Sequence, residues 1–352
     1  MKVRLKPLKQ QVIVITGASS GIGLATARMA AKKGARLVLA ARSEGDLQQL
    51  VEQIGGDGGQ ATYVVADVGS EADVRRIAEK ALSTFGRFDT WVNNAGVSIY
   101  GRGMDVPLED MRRLFDTNVW GVIAGSRVAV EHLRRHGGAL INVGSEVSDK
   151  AVPLQGIYSA SKHAVKGWTD ALRMELEDEA APVSVTLIKP GPIDTPYTEH
   201  ARNYLEDEPT HAPPVYAPES VAAAILHAAT HPVRDLFVGG GAKFVSTMDK
   251  VAPRLTDAFV EKTIIPGTHS GRPRSGRDAL YSAGGGLRER GHYEGMVRRS
   301  MYTRAAMHPL FTTAIAVGAG LLVTALWRPS ERGTYLSRGW VLQAADRSWS
   351  QA

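Results

Sequence analysis

Tyr158 and Lys162 stand four residues apart in Tyr-Ser-Ala-Ser-Lys. On a helix, residues i and i+4 share a face, so this spacing sets the ammonium beside the phenol. A phenol titrates near pH 10 and works as a general acid-base at neutral pH only where a neighbouring positive charge favours the phenolate. Ser145, thirteen residues upstream, offers a hydroxyl that can orient a substrate oxygen, with Ser148 as its nearest rival. Alone, the Tyr–Lys pair is weak evidence, because the spacing arises by chance on many solvated helices. Its company gives it weight: a glycine-rich run from Thr16 to Gly23 and the run Asn93-Asn94-Ala95-Gly96.

The elements that must position these groups follow an alternating pattern. From Val12 to Val238, apolar runs alternate with helical periodicity, which predicts βαβ units and a doubly wound parallel α/β sheet of seven strands flanked by helices. The expected strands are Val12–Thr16, Arg36–Ala40, Ala61–Val65, Thr90–Asn93, Ala139–Val143, Ser184–Lys189 and Asp235–Val238. The expected helices are Gly21–Lys33, Ser43–Gln53, Glu71–Phe85, a long one from Leu108 to His132, Ile157–Ala180 and Glu219–His231. Ligands bind at the carboxyl ends of such strands. Ser145 follows the fifth strand and Tyr158 opens the next helix, so both fall at that edge.

The run Thr16-Gly17-Ala18-Ser19-Ser20-Gly21-Ile22-Gly23 sits where the first strand becomes a helix. Glycines there permit positive φ and a close approach to a diphosphate, while the helix N-terminus supplies free N–H donors. With Asn93-Asn94-Ala95-Gly96, Ser145, Tyr158-x-x-x-Lys162 and Pro190-Gly191-x-x-x-Thr195 in order, the chain resembles the classical short-chain dehydrogenase/reductase family over residues 8–240. The glycine spacing argues against that family's extended branch. The resemblance implies a Rossmann-like domain that transfers a hydride between a nicotinamide dinucleotide and a carbonyl or secondary alcohol. Tyr158 is then the general acid-base, and Lys162 lowers its pKa and bonds the nicotinamide ribose. Ser145 orients the substrate, and Asn118 holds a relay water. The cofactor contacts implied are Gly17, Ser19, Ser20, Gly21, Ile22 and Gly23 at the diphosphate, and Asp67 and Val68 at the adenine. Asn94, Ala95 and Gly96 lie at the ribose and Pro190, Gly191, Ile193 and Thr195 at the nicotinamide. After the second strand the chain reads Ala41-Arg42-Ser43, with no carboxylate before the arginine. A guanidinium suits a 2′-phosphate, so NADP(H) is expected over NAD(H), although Ser20 stands where many NADP-preferring relatives carry a basic residue.

The chain has 352 residues and no cysteine, which rules out disulfides and thiolate chemistry. Its ten histidines show no ligand spacing, so no metal site is expected. Residues 250–352 hold fifteen Lys and Arg against seven Asp and Glu, a net of +8, whereas residues 1–249 are near neutral. Such a tail suits an anionic membrane surface, or less well nucleic acid, for which no recognition motif is present. Met248–Ile264 is expected to be helical, and Pro266–Gly295, rich in Gly, Ser and Arg, reads as a mobile linker. Leu310–Trp327 is eighteen residues without a charge, about 27 Å as a helix and close to a bilayer's core. The expected organisation is a catalytic domain over 1–245, a basic linker over 246–305, a membrane helix over 306–328 and a tail over 329–352. The catalytic domain would face the cytoplasm, with a lipophilic substrate and homo-oligomers formed through the two long helices. A non-catalytic nucleotide-binding scaffold on the same fold is the alternative function. Tyr197–Ala217 falls where relatives place a substrate lid, with Glu206-Asp207-Glu208 as a solvated run.

Overall fold

The strand β1 (Val12–Thr16) is buried at every position, and a strand without a polar face belongs inside a sheet covered on both sides. In the computed structural model, which describes residues 3–274, 276, 278–308 and 312, it does so. After α1 (Gly21–Lys32) come β2 (Arg36–Ala41), α2 (Glu44–Gly56), β3 (Gln60–Val65), α3 (Glu71–Phe85) and β4 (Thr90–Asn93). The second half carries α4 (Leu108–Phe115), α5 (Gly121–His136), β5 (Gly138–Val143), α6 (Gly156–Asp178), β6 (Val183–Pro190), α7 (Pro218–Ala228) and β7 (Asp235–Val238). The seven strands pair in the order β7-β6-β5-β4-β1-β2-β3, all parallel, with Val14 opposite Val38 on one side and Trp91 on the other. The expected seven-stranded α/β architecture is present.

Alternate residues of β1 serve opposite layers. Ile13 and Ile15 pack with Leu24 of α1 and with Val221 and Ile225 of α7. Val12 and Val14 pack with Ile77 of α3, Leu133 of α5 and Leu176 of α6. The strand order reverses between β1 and β4, and the crevice at that reversal is where open sheets of this kind take ligands.

Three elements differ from expectation. The long helix is interrupted at Asp116–Trp120, where one turn widens into a π-turn carrying Asn118. Such turns insert an extra residue and re-aim a side chain, and they cluster at functional sites. The helix expected over Met248–Ile264 is two, α8 (Gly240–Val251) and α9 (Pro253–Thr268), with Pro253 opening the second, where its missing N–H costs nothing.

The third difference is larger. The segment read as a mobile linker packs against the catalytic unit, and the chain divides into units at 1–307 and 308–352 rather than at 245. His269–Pro273 pairs with Asp207–Pro209, and Val297–Arg298 pairs with Val215–Tyr216. Part of the acidic run read as solvated is thereby drawn inward: Asp207 accepts from the Gly271 N–H at 2.7 Å and Glu208 is buried, while Glu206 stays exposed. The physical reason is charge. Arg288 pairs with Glu199 and Arg290 with Asp194 and Glu219, so basic residues expected to face a membrane find carboxylates on their own domain. The proposed membrane span, Leu310–Trp327, lies outside the described residues. Among the described residues no helix is long and apolar enough to cross a membrane.

Candidate active site

The turn after β1 and the turn after β4 are clipped together. The Thr16 hydroxyl accepts from the Asn94 and Ala95 N–H groups at 3.0 and 3.1 Å, and the Asn94 amide donates back to Thr16 O at 2.9 Å. Gly17 has φ +66°, and a Cβ there would stand 2.8 Å from the Ala95 Cα; one on Gly23 would stand 2.0 Å from Gly17 O. Only glycine fits both places. Gly23 therefore shapes the turn rather than lining the cleft beside it.

That cleft is lined by Gly17, Ser19, Ser20, Gly21, Ile22, Arg42, Ser43, Asp67, Val68, Asn94, Ala95, Gly96 and Thr195. Thirteen positions expected to hold a dinucleotide thus share one wall. A backbone cradle that a Cβ would fill, the start of α1 and the Thr117 hydroxyl, buried in the wall without a partner among the described residues, all fit such a ligand. Asp67 is held by Arg113 through a short ion pair.

Sequence reasoning missed a second wall. The arm 278–291 crosses the cleft, where Ala279, Ala283 and Gly284 line it. Leu280 is fully buried beside Val97, Ile99 and Leu114. Its carbonyl accepts from Arg42 at 3.3 Å and from Arg113 at 3.1 Å, and Ala279 O accepts from the other Arg42 nitrogen. The Gly21 N–H donates to Arg288 O at 2.9 Å. Arm carbonyls therefore sit on donors suited to phosphate oxygens. Two leucines, Leu280 and Leu287, in a Gly- and Arg-rich stretch were the available hint.

The second cleft adjoins the first and shares Ile22, Asn94, Gly96, Thr195 and Tyr197 with it. Ser145, Tyr158, Lys162, Pro190, Gly191 and Ile193 line it. Ser148 lies behind, its hydroxyl accepting from the Ser145 N–H at 3.1 Å, so Ser145 is the serine at the cleft. Lys162 is buried, and its ammonium donates to Val143 O at 2.9 Å and lies 5.7 Å from the Tyr158 ring centre. Burial pushes the Tyr158 hydroxyl above its usual range, against the pull of the Tyr197 and Ser145 hydroxyls toward the phenolate. The expected lowering by Lys162 is not what governs it. Burial also lowers Lys162 itself, to about 8. Asn118 lies behind the cleft. It accepts from the Val97 N–H at 2.8 Å and donates to Val97 O at 2.9 Å and to Ser161 Oγ at 3.2 Å.

Three side chains at this end were not singled out by the sequence. Tyr197 meets Tyr158 edge-on at 5.6 Å between centres and is held by Ser98 at 2.7 Å and Gln155 at 2.8 Å. His211 stacks on Tyr197, 5.8 Å away and tilted by 16°. Glu146, next to Ser145, lines the same wall. Its position beside a candidate catalytic serine was the one available signal.

Comparison with known proteins places this geometry among relatives. Residues 11–206 match the family model described as short chain dehydrogenase. An uncharacterized oxidoreductase, YxnA of Bacillus subtilis, is 54% identical over 323 residues, covering 90% of this chain and 91% of that protein. A short-chain dehydrogenase/reductase from Burkholderia phymatum, solved in complex with NAD, matches with a TM-score of 0.65 and 28% identity over 71% of this chain and 96% of that one. An alcohol dehydrogenase from Thermococcus sibiricus, complexed with 5-hydroxy-NADP, matches with a TM-score of 0.58 and 27% identity over 65% and 95%.

Two expectations follow from the walls. Leu280→Ala should destabilise the protein by about 2–5 kcal/mol, as for a buried leucine that anchors its segment, and should speed tryptic cleavage at Arg288 and Arg290. A loose linker would show neither change in melting temperature nor faster cleavage. Burial lifts the Glu146 carboxyl from 4.5 to about 7. A raised carboxyl favours the fold fully below its unfolded value, and that contribution is lost as pH rises through the folded value. Between pH 4.5 and 8, wild type should therefore lose stability relative to Glu146→Gln, by about 3 kcal/mol at roughly 1.4 kcal/mol per pH step. Parallel denaturation curves at each pH measure the gap, and a constant gap would refute the burial of this charge.

Proposed function

Because the chain belongs to the short-chain dehydrogenase family, we propose that its two adjoining clefts form one alcohol–carbonyl oxidoreductase site, with Tyr158 as general acid-base. One observation carries this reading: Ser145, Tyr158 and Lys162 line a cleft that runs into the glycine cradle at the sheet's reversal point. A nicotinamide dinucleotide, when bound, supplies or accepts the hydride. The chain's own residues do the rest. Ser145 holds the substrate oxygen by a hydrogen bond and so aligns the carbon that reacts. Tyr158, its proton held firmly by burial, donates it to that oxygen in reduction and removes it in oxidation. Lys162 steadies the phenolate and reaches toward the cofactor's ribose. Asn118 holds a water that relays protons beyond Lys162; in support, a Cβ on Gly96 would lie 3.4 Å from Asn118 Oδ1 and 3.8 Å from Lys162 Nζ. The intact set of catalytic groups weighs against a non-catalytic scaffold.

The preferred dinucleotide is NADP(H), with NAD(H) second. Relatives do not choose, since one holds NAD and another 5-hydroxy-NADP. Arg42 supports this reading: it has five N–H donors, of which arm carbonyls take two, leaving three for a 2′-phosphate. Attachment to a membrane through Leu310–Trp327, with the catalytic unit in the cytoplasm, rests on the uncharged run alone. A lipophilic substrate rests on that attachment, and detergent-free fractionation of cells tests both. Homo-oligomers through the long helices draw support from Trp120 and Met174, 59% and 60% exposed there; light scattering measures the mass.

Two substitutions test the site. Tyr158→Phe should retain the fold and dinucleotide affinity yet lose at least about a hundredfold in kcat, the scale of one general acid; full activity would remove Tyr158 from the reaction. Arg42→Ala should cut kcat/KM for NADPH about tenfold or more while sparing NADH, about 1.4 kcal/mol for one charged phosphate contact. A wild-type preference for NADH would overturn the assignment.

A further inference from the structure

We infer that the substrate is a polyhydroxylated molecule, which presents hydroxyl donors to Glu146 and His211 beside the carbon that reacts. This rests on the oxidoreductase reading above and narrows it, and it sets the lining of the cleft against the lipophilic substrate, which rests on the uncharged run alone.

The cleft that holds the catalytic groups is lined by two further polar side chains, the half-buried His211 and Glu146. His211 Nε2 is shut off from solvent and has no partner among the described residues. Burial keeps the ring neutral, and a neutral imidazole with its proton on Nδ1 presents a lone pair at Nε2. Stacking on Tyr197 fixes the ring in place. Glu146 lies in the same wall, and a Cβ on Gly191 would stand 3.4 Å from its Oε2. Among the described residues no hydrogen bond or ion pair is formed by its carboxyl.

Burying an acceptor without a donor costs free energy, so a protein keeps one where a ligand completes it. Two acceptors in one wall call for a ligand with more than one O–H donor. Charge narrows the class. Among the described residues Lys162 is the one Lys or Arg lining the cleft, and it is already bonded to Val143 O, so an anionic substrate would meet Glu146 without a free counter-charge. Size and polarity narrow it further. Among the described residues the aliphatic part of this wall is Val, Ile and Pro, with no Leu, Met, Phe or Trp beside the Tyr158 and Tyr197 rings to clothe an acyl chain. A site built to hydrogen-bond a hydroxyl rejects the analogue that lacks it far more strongly than an apolar pocket rejects an extra methylene.

The test uses the full-length enzyme and whichever dinucleotide it turns over. Oxidation of myo-inositol and cyclohexane-1,2-diol is compared with that of cyclohexanol. The polyols should exceed cyclohexanol at least tenfold in kcat/KM. His211→Phe, which keeps the aromatic stack, and Glu146→Gln should each cut that ratio about tenfold. In Tyr158→Phe saturated with dinucleotide, polyols should raise the melting temperature and cyclohexanol should not. Equal kcat/KM for the two classes, with no selective thermal shift, overturns the inference and leaves the oxidoreductase intact. Preference for an amino alcohol that is lost in Glu146→Gln but kept in His211→Phe overturns it in favour of an amine. If no alcohol is oxidised and no ketone reduced, the oxidoreductase reading falls, and the thermal shift alone decides recognition.

Discussion

Loss of water is the constraint on which the catalytic end depends. In its cleft, burial outranks every charge and hydrogen bond acting on the titratable groups. It raises the Tyr158 and Tyr197 hydroxyls, lifts Glu146 to about 7, lowers Lys162 to about 8 and drops His211 to about 4. Each group is thereby pushed toward its neutral form, which is what burial does to acids and bases alike. Lowered polarity of this kind strengthens the dipoles that face the cleft. The Tyr–Lys pair cannot act in isolation there. Its proton inventory is set by the whole wall, including residues far apart in sequence.

Motifs made the fold and the cofactor wall legible because their chemistry is local. The Gly17–Gly23 turn, the Asn93–Gly96 run and the Tyr158–Lys162 spacing each lie within one short stretch of chain, where sequence distance and spatial distance nearly agree. The parallel sheet was legible for a related reason: strands buried on both faces read as unbroken apolar runs. The π-turn at Asn118 was not legible. A single extra residue in a helix leaves the apolar periodicity almost unchanged while rotating everything beyond it. Tyr197, His211 and Glu146 were missed because a substrate wall is assembled from separate loops, and one polar residue on a loop looks like any other.

The arm shows a different failure of composition. Gly, Ser and Arg in 266–295 match a chain that buries little apolar surface, and such chains are usually loose. Here the ordering comes from elsewhere. Carboxylates on the catalytic unit, Glu199, Asp194 and Glu219, supply fixed partners for Arg288 and Arg290, and Leu280 fills one apolar socket. Exposed ion pairs are worth little singly. Several pairs anchored around one buried leucine share the entropy cost of ordering the segment. A net charge of +8 over the tail was therefore partly a statement about the acidic surface beneath it, which no reading of the tail by itself contains.

The two clefts divide their labour in a way that explains which half is general and which is particular. The cofactor half is made mainly of backbone: glycine turns, helix N–H groups and the carbonyls of the arm. Backbone donors keep their position whatever side chains surround them, so this half depends little on side-chain identity. The substrate half is made of side chains on loops held by Tyr197, whose hydroxyl is fixed by Ser98 and Gln155 and whose ring supports both Tyr158 and His211. Tyr197 also borders the cofactor cleft, so it couples the two halves mechanically. A change in what His211 and Glu146 recognise can therefore leave the acid-base pair intact, but a shift of Tyr197 moves recognition and proton transfer together.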